Sequence, residues 1–370
     1  MRQLILTVPE RKATIHRMRK VIISGIQQIG VGVTDVDSAF KWYRHHFGAD
    51  VPAFDDSGEA GFMVRYTGGE PQVRRALLAI NLQGGSGMEI WQFTGRKPQS
   101  VSFQIALGDL GIFLARIKSR DVEKTYERLD HSGAELLGDI YCDPAGGKHF
   151  FLKDPFGNIF QLVEDDSWFS RSGNDTGGIC GCLIGVTDID KSRRLYSDIL
   201  GYDLVVYDEK GIFEDFAVLP GGKEEVRRVL LAHSEERKGG FSRLIGPSRI
   251  ELVQCINRKP ARIFEGRYWG DPGFIHLCFD IHGMEAVQEE CNKAGFPFTV
   301  DSSKSFDMGD AAGHFSYIED DDGTLIEFVE THRLPILKKL GLYLNLQKRD
   351  PEKPLPDWMI RMLSFNRVKD

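Results

Sequence analysis

The sequence lacks the features that mark membrane, secreted and nucleic-acid-binding proteins. No apolar run approaches the ~20 residues that a membrane helix needs. Residues 1–20 carry scattered charges and no apolar core of signal-peptide length. The formal net charge is −7 without a dense basic stretch in the body of the chain, so we expect no nucleic-acid or membrane partner. The six cysteines include no CxxC pair, which predicts reduced thiols and a cytoplasmic location.

The chain is too long for one ordinary core, and it repeats itself. Its 370 residues exceed the ~250–300 at which single hydrophobic cores stop growing, so two domains are expected. The segment IQQIGVGVTDVD at 26–37 recurs as ICGCLIGVTDID at 179–190, an offset of 153. GGEPQVRRALLA at 68–79 recurs as GGKEEVRRVLLA at 221–232 with the same offset. Such repeats decide the architecture, and these indicate a duplication.

A second set of repeats divides each half again. Further segments match at offsets of 162 and 166, namely 88–98 with 250–260, 114–137 with 276–299, and 150–164 with 316–330. Each of the four resulting modules begins with an alternating strand, such as that of Ile29, Val31 and Val33. A helix follows, ended in the first module by Gly48, and two or three strands complete the module. The prediction is an α+β fold of four βαβββ modules.

Turn-rich and charged segments suggest the domain boundaries. We predict a first domain at 22–166, with modules 1 and 2, and a second domain at 179–332, with modules 3 and 4. The glycine-rich linker 167–178 joins them. Residues 1–21 are expected to form an N-terminal extension. The proline-interrupted tail 333–370 is expected to wrap the surface or to reach a second subunit, as in a homodimer.

The four-fold plan resembles the vicinal-oxygen-chelate superfamily. The openings IQQIGVGVTDVD and FIHLCFDI and the endings DPFGNIFQLVE and DDGTLIEFVE carry the resemblance, which covers residues 24–331. Members include glyoxalase I, methylmalonyl-CoA epimerase, extradiol dioxygenases, fosfomycin-modifying enzymes and metal-free drug-binding proteins. The resemblance implies that paired modules curl into two cup-shaped mixed sheets. It also implies one bound divalent metal ion, which could be Zn, Ni, Co, Mn or Fe.

In that superfamily the metal ligands come from the first and the last strand of each module. The matching positions here are Gln28 and Glu89 in module 1, Leu114 and Gln161 in module 2, Gly181 and Glu251 in module 3, and His276 and Glu327 in module 4. Carboxylate oxygen and imidazole nitrogen suit a hard or borderline divalent ion. Which of these residues share a site depends on how the modules pair.

Two pairings of the modules are open. If modules pair 1 with 2 and 3 with 4, the better site holds Glu251, His276 and Glu327. If they pair 1 with 4 and 2 with 3, then Gln28, Glu89, His276 and Glu327 meet in one cup. We favour the second pairing, because it brings every good ligand together in the quartet of a glutamine-bearing glyoxalase I. The alternatives without a metal are that Glu89 and Glu251 are solvated charges at strand ends and that His276 is a histidine of the core.

The resemblance implies a metal-dependent, glyoxalase-like isomerase or lyase that acts on a small oxygen-chelating substrate through an enediolate. Glu327, or Glu89 across the metal, is the expected catalytic base, and His314 and Arg96 are expected to contact the substrate. One alternative is an extradiol-type Fe(II) dioxygenase, which needs two histidine ligands and one carboxylate. The other is a metal-free protein that binds a small molecule.

Overall fold

A computed structural model describes residues 21–171, 173–302, 306–307, 312–337 and 342–368. Almost all of the predicted N-terminal extension therefore lies outside the described residues. The chain forms two curled mixed sheets, one of ten strands and one of eight. The predicted α+β class and the cup-shaped sheets are confirmed.

The ten-stranded sheet takes its strands from the first and last modules. In spatial order they are β14 (Val300–Asp301), β16 (Ala312–Glu319), β17 (Leu325–Leu337), β13 (Gly273–His282), β1 (Ile22–Gly32), β4 (Gly87–Phe93), β3 (Val73–Ile80) and β2 (Val51–Glu59). The short strands β15 (Phe306–Asp307) and β18 (Leu342–Asn345) add to β16 and β17. The antiparallel pair of β1 and β13 joins the two modules. We call the concave face of this sheet the first cup.

The eight-stranded sheet takes its strands from the second and third modules. In spatial order they are β10 (Leu204–Gly211), β11 (Val226–Ala232), β12 (Arg249–Cys255), β9 (Thr176–Gly185), β5 (Gly111–Ser119), β8 (Ile159–Glu164), β7 (Lys148–Lys153) and β6 (Glu135–Cys142). The antiparallel pair of β5 and β9 joins the modules. Its concave face is the second cup. The favoured pairing of modules, 1 with 4 and 2 with 3, is thereby confirmed.

Helices cover the convex faces of both sheets. They are α1 (Val36–Phe47), α2 (Val122–His131), α3 (Ile189–Arg193), which a π-helical turn at Arg194–Ile199 continues, and α5 (Met284–Ala294). An aspartate caps each of the first three, as Asp35 does by accepting a hydrogen bond from Ser38 N at 2.9 Å. Short helices α4 (Ser242–Ile245) and α6 (Asp357–Arg361) and 3-10 turns at Gly61–Tyr66, Glu214–Phe216 and Met362–Asn366 complete the secondary structure. Among the described residues, no helix has the length and apolar character to cross a membrane.

One hydrophobic cluster joins the helices to the convex faces of both sheets. Phe160 of β8 packs at 5.0 Å from Phe47 of α1 and at 5.4 Å from Phe274 of β13. Two buried tyrosines of the helices, Tyr43 and Tyr196, donate hydrogen bonds to aspartates of turns in the neighbouring module. Each sheet contains strands from both halves of the chain, and these contacts join the two sheets. The two predicted domains therefore share both sheets.

The described part of the C-terminal tail folds back onto the body. Leu355, Ile360 and Leu363 pack against Val51 and Leu82, and Val368 N donates a hydrogen bond to a backbone carbonyl after α1. This packing agrees with a tail that wraps the surface.

A buried aspartate of β13 makes stability depend on pH. Asp280 is 5% exposed and accepts a hydrogen bond from Gln27 Nε2 at 3.4 Å. Burial raises its pKa to about 7, well above the ~3.9 of an unfolded aspartate. Below pH 4 both states are protonated. As pH rises from 4 to 7 the unfolded state ionises first, so the free energy of unfolding falls across that window.

We therefore expect Asp280→Asn to stabilise the protein at high pH only. The asparagine cannot ionise, so the gain should be small near pH 4 and about 2–4 kcal/mol at pH 8. Urea unfolding at the two pH values measures it. An equal effect at both would show that Asp280 is ionised in the folded protein.

Candidate metal centre

Three buried side chains that could hold a metal ion meet on the first cup. The ligand atoms of Glu89, His276 and Glu327 all lie within 4.8 Å of one another. His276 Nε2 is 3.2 Å from Glu89 Oε2 and 3.2 Å from Glu327 Oε2. The three residues, here called the metal triad, are 6%, 0% and 7% exposed. The triad therefore combines three of the four residues predicted to share a site.

The strand register brings the triad together. Gly30 of β1 lies between Glu89 of β4 and His276 of β13, its register partners on the two sides. A Cβ at Gly30 would lie 2.6 Å from Cε1 of His276, closer than carbon atoms approach, so this position has to be glycine for the imidazole to fit. Glu327 lies on β17, the next strand beyond β13. The strands β4, β13 and β17 thus each contribute one side chain to the same place on the first cup.

Gln28 completes the predicted quartet. Its Nε2 donates a hydrogen bond to Glu89 Oε2 at 3.3 Å, and the side chain is 4% exposed. Its Oε1 faces no donor within the described part of the chain. All four predicted residues therefore lie on the first cup.

The unpaired atoms of the quartet fit a divalent ion. Gln28 Oε1, His276 Nε2 and Glu327 Oε2 are buried and have no hydrogen-bond partner among the described residues. Burying such groups unpaired is costly, and buried charges are normally paired or coordinate metals. Oxygen and nitrogen donors about 3 Å apart match the ~2.0–2.6 Å bonds of a shared ion. The donor set suits Zn, Ni, Co, Mn or Fe.

Burial and neighbouring charges shift the pKa values of two residues of the triad. Burial raises the pKa of Glu327 to about 7, with the neighbouring Glu89 adding to the rise and His276 opposing it. Burial acts to lower the pKa of His276, but the two carboxylates outweigh it and raise that pKa. Two carboxylates and one imidazole in a dry site thus compete for protons, a conflict that a bound cation would relieve.

The sequence analysis missed two aromatic neighbours of the triad. Tyr317 OH lies 3.4 Å from His276 Nδ1, and its residue pairs with Glu327 across β16 and β17. The pairing follows from the hairpin register and could have been found by counting back from Glu327. Trp269 stacks on the His276 ring at 6.0 Å and 17°. It comes from the irregular segment after β12, so strand periodicity gave no signal for it.

The match to a known family covers both halves of the chain. The sequence model of the Glyoxalase/Bleomycin resistance protein/Dioxygenase superfamily matches residues 25–162 and 178–328. The chain belongs to this superfamily. All four residues of the quartet lie in the matched ranges. No curated protein sequence matches significantly.

Solved structures with low sequence identity share the fold of this chain. Glyoxalase I from Zea mays superposes with a TM-score of 0.51 at 14% identity, covering 84% of this chain and 92% of its own. A Bacillus subtilis protein assigned provisionally as a dioxygenase superposes with a TM-score of 0.54 at 15% identity, covering 84% and 86%. At this identity the likeness shows the fold alone.

The two residues predicted to contact substrate have other partners in this superfamily member. His314 pairs with Glu330 across the hairpin and lies on the face opposite that of Tyr317, so it points away from the first cup. Its Nε2 is 2.6 Å from Asp301 Oδ1. The geometry gives no support for a substrate contact by His314, because the residue lies within β16 on its convex face rather than just before the strand.

Arg96 is likewise placed in a structural contact. Its Nη1 donates to the buried carboxylate of Asp271 at 2.6 Å, and its guanidinium lies over the rings of Phe93 and Tyr268. A buried carboxylate needs such a partner. The geometry gives no support for a substrate contact by Arg96.

Glu251, the alternative ligand, lies on the second cup with other partners. Its Oε1 accepts hydrogen bonds from Arg228 Nε at 2.6 Å and from Tyr207 OH at 2.8 Å. Arg116 Nη2 is 3.4 Å from its other oxygen. Although burial opposes it, these two guanidinium groups hold the pKa of Glu251 below its usual value. The geometry gives no support for Glu251 as a metal ligand, because arginine supplies its counter-charge.

A one-residue slip in the repeat puts Arg228 on the second cup. Arg75 and Arg227 make the same contacts, each bonding one aspartate of its helix and one of its edge strand. Their spatial offset is 227 − 75 = 152, whereas the sequence repeat has 153. Arg228 consequently takes the place of Ala76. A slip of one residue reverses the face of a strand side chain, which is why the matching letters hid this difference.

Proposed function

We propose that the chain is a metal-dependent, glyoxalase-like isomerase or lyase that acts through an enediolate on a small substrate with two adjacent oxygens. The observation that carries the proposal is the buried metal triad, with Gln28, whose donor atoms lack other partners. When bound there, a divalent ion would act as a Lewis acid toward the substrate oxygens and make the neighbouring C–H more acidic.

The side chains around the triad have distinct roles in this proposal. Glu327 accepts the proton from carbon, because a buried carboxylate of the triad can act as a general base toward a substrate bound there. Glu89 and Gln28 are ligands, and His276 is a ligand that the Tyr317 hydroxyl orients through Nδ1. Trp269 covers the imidazole and keeps water from it.

The donor set favours this reaction class over ring-cleaving oxygenation. An iron site of that kind uses two histidines and one carboxylate, whereas the triad offers one histidine and two carboxylates. A metal-free binding protein would have no use for two buried carboxylates beside a single imidazole. The substrate is a small molecule, and we place the reaction in the cytoplasm because the six cysteines are free thiols.

Solvent exchange at carbon tests the proposed function without knowledge of the product. In D₂O the metal-loaded protein should exchange a C–H beside a carbonyl in a panel of small α-hydroxycarbonyl compounds, followed by proton NMR. Glu327→Gln should slow exchange by about 100-fold, the low end for general-base catalysis. Glu330→Gln, a glutamate on the opposite face of β17, is the control. Equal exchange with and without Glu327 would remove it as the base.

A further inference from the structure

The second cup contains a cavity of about 350 Å³ that the proposed reaction does not use. Arg116, His149, Val163 and Cys180 are among its lining residues. The other end of the same cup is filled by apolar side chains. A volume of this size lies in the range of small-molecule sites, ~300–1,000 Å³.

A buried guanidinium with spare donors lines this cavity. The Arg116 side chain is 3% exposed. Its Nε donates to Gln161 Oε1 at 2.7 Å, and Nη2 lies 3.4 Å from Glu251 Oε2. Its terminal nitrogens make no hydrogen bond to any other described residue. A guanidinium carries five N–H donors, so most of those of Arg116 are unused.

The neighbouring acids take their guanidinium hydrogen bonds from Arg228 rather than from Arg116, whose charge balances the second carboxylate through its contact with Glu251. Arg228 donates to Glu251 through Nε and to both oxygens of Asp215 through Nη1, at 2.9 and 2.8 Å. Burial, and then Arg116 itself, lower the pKa of His149 to about 4, so this imidazole is neutral at pH 7. Arg116 is therefore the buried cation of the cavity whose donors are least satisfied.

Asp143, Glu164, Asp165 and Asp166 line the cavity, and the carboxylates of Asp143 and Asp165 accept hydrogen bonds within their own loops. Asp143 Oδ1 accepts hydrogen bonds from the backbone N–H groups of Ala145 and Gly147, at 2.9 and 2.8 Å. Asp165 Oδ1 accepts one from Ser167 N at 2.7 Å. Neither forms an ion pair with Arg116 among the described contacts. The backbone N–H groups partly compensate the charge of these two carboxylates, and the guanidinium of Arg116 lies deeper in the cavity.

The fold itself does not require an arginine here. Arg116 pairs with Gln161 in the register, as Cys278 pairs with Glu327 in the first cup. The two positions are therefore equivalent in the duplicated sheets, and a small neutral thiol occupies one of them. The buried cation at the other position balances part of the charge of Glu251, but its remaining donors are not used by the fold.

We propose that the second cup binds a small oxyanion, the carboxylate or phosphate group of a small molecule, through the guanidinium of Arg116. The planar fork matches both groups and binds them by two parallel hydrogen bonds. This site is separate from the metal triad and does not depend on the proposed reaction. The duplication thus leaves one cup with a metal triad and the other with a fixed guanidinium.

Calorimetric titration with malonate, and separately with inorganic phosphate, tests the proposal. The full-length protein and its His276→Ala variant should bind with the same affinity, because the first cup takes no part. Arg116→Met should weaken binding by about 10- to 100-fold, the loss expected for charge-assisted hydrogen bonds. Arg227→Met, a surface arginine of β11, should leave it unchanged. The probe that binds more tightly identifies the preferred group.

A second variant keeps the test decisive if Arg116→Met does not fold. Val163 lines the cavity and is partly exposed, so Val163→Phe should narrow the cavity and weaken binding while the buried ion pairs remain. Binding that both variants leave unchanged would overturn the proposal. So would loss of binding in His276→Ala, which would place the probe in the first cup, or no binding of either probe at about 10 mM, well above a millimolar Kd.

Discussion

Arg228→Met is expected to lower the free energy of unfolding by about 3–5 kcal/mol, the cost of breaking a buried ion pair from one side. Arg228 is fully buried, and its guanidinium compensates both Glu251 and Asp215, which are 0% and 5% exposed. Methionine fills a similar volume but leaves two carboxylates in a dry cup with only Arg116 near one of them. Urea unfolding followed by circular dichroism measures the loss.

The adjacent arginine is the matched control. Arg227 makes two ion pairs of comparable length, with Asp190 and Asp208, but on the solvent side of the same strand. Exposed pairs contribute ~0–1 kcal/mol, so Arg227→Met should cost far less. Equal losses for the two variants would contradict the buried network in the second cup.

Glu89→Gln and Glu251→Gln should have opposite effects, although the two glutamates occupy equivalent positions. Glu89→Gln is expected to weaken Zn²⁺ or Co²⁺ binding by about 100- to 1,000-fold, because a negatively charged ligand is lost. It should leave the metal-free protein as stable or more stable, since one of two close buried carboxylates is removed. Metal titration of the chelator-treated protein measures the first effect and thermal unfolding the second.

Glu251→Gln should lower the stability of the protein without changing its metal affinity. Metal affinity should stay unchanged, because Glu251 lies on the other cup, bonded to Arg228 and Tyr207. The free energy of unfolding should fall by about 1.5–3 kcal/mol, the value of a hydrogen bond to a charged group. A metal affinity that falls with Glu251→Gln and not with Glu89→Gln would place the ion in the second cup and contradict the metal triad.

The sequence was sufficient for the architecture because the duplication repeats whole modules. Alternation and turn residues located the strands, and the pairing followed from asking which arrangement brings Gln28, Glu89, His276 and Glu327 together. Carboxylates and an imidazole that face a cup need a common partner, so these four residues were expected to lie together. Their meeting in the first cup agrees with it.

The details that failed depend on register and on irregular segments. His314 was assigned from its expected place just before the penultimate strand, but it lies within β16, where its parity turns it to the convex face. The slip that moves Arg228 into the second cup is invisible in VRRALLA and VRRVLLA, which align without a gap. Trp269 reaches the triad from a segment with no periodicity. A single-residue offset or a loop path follows from tertiary packing, which local patterns do not encode.

Metal analysis of the purified protein beside its His276→Ala/Glu327→Ala variant tests the central claim most directly. We expect about one equivalent of Zn, Ni, Co, Mn or Fe per chain in the wild type, as for a site of this donor type, and none in the variant. No metal in either protein, even after the ions are added back, would contradict the metal centre and the reaction proposed for it.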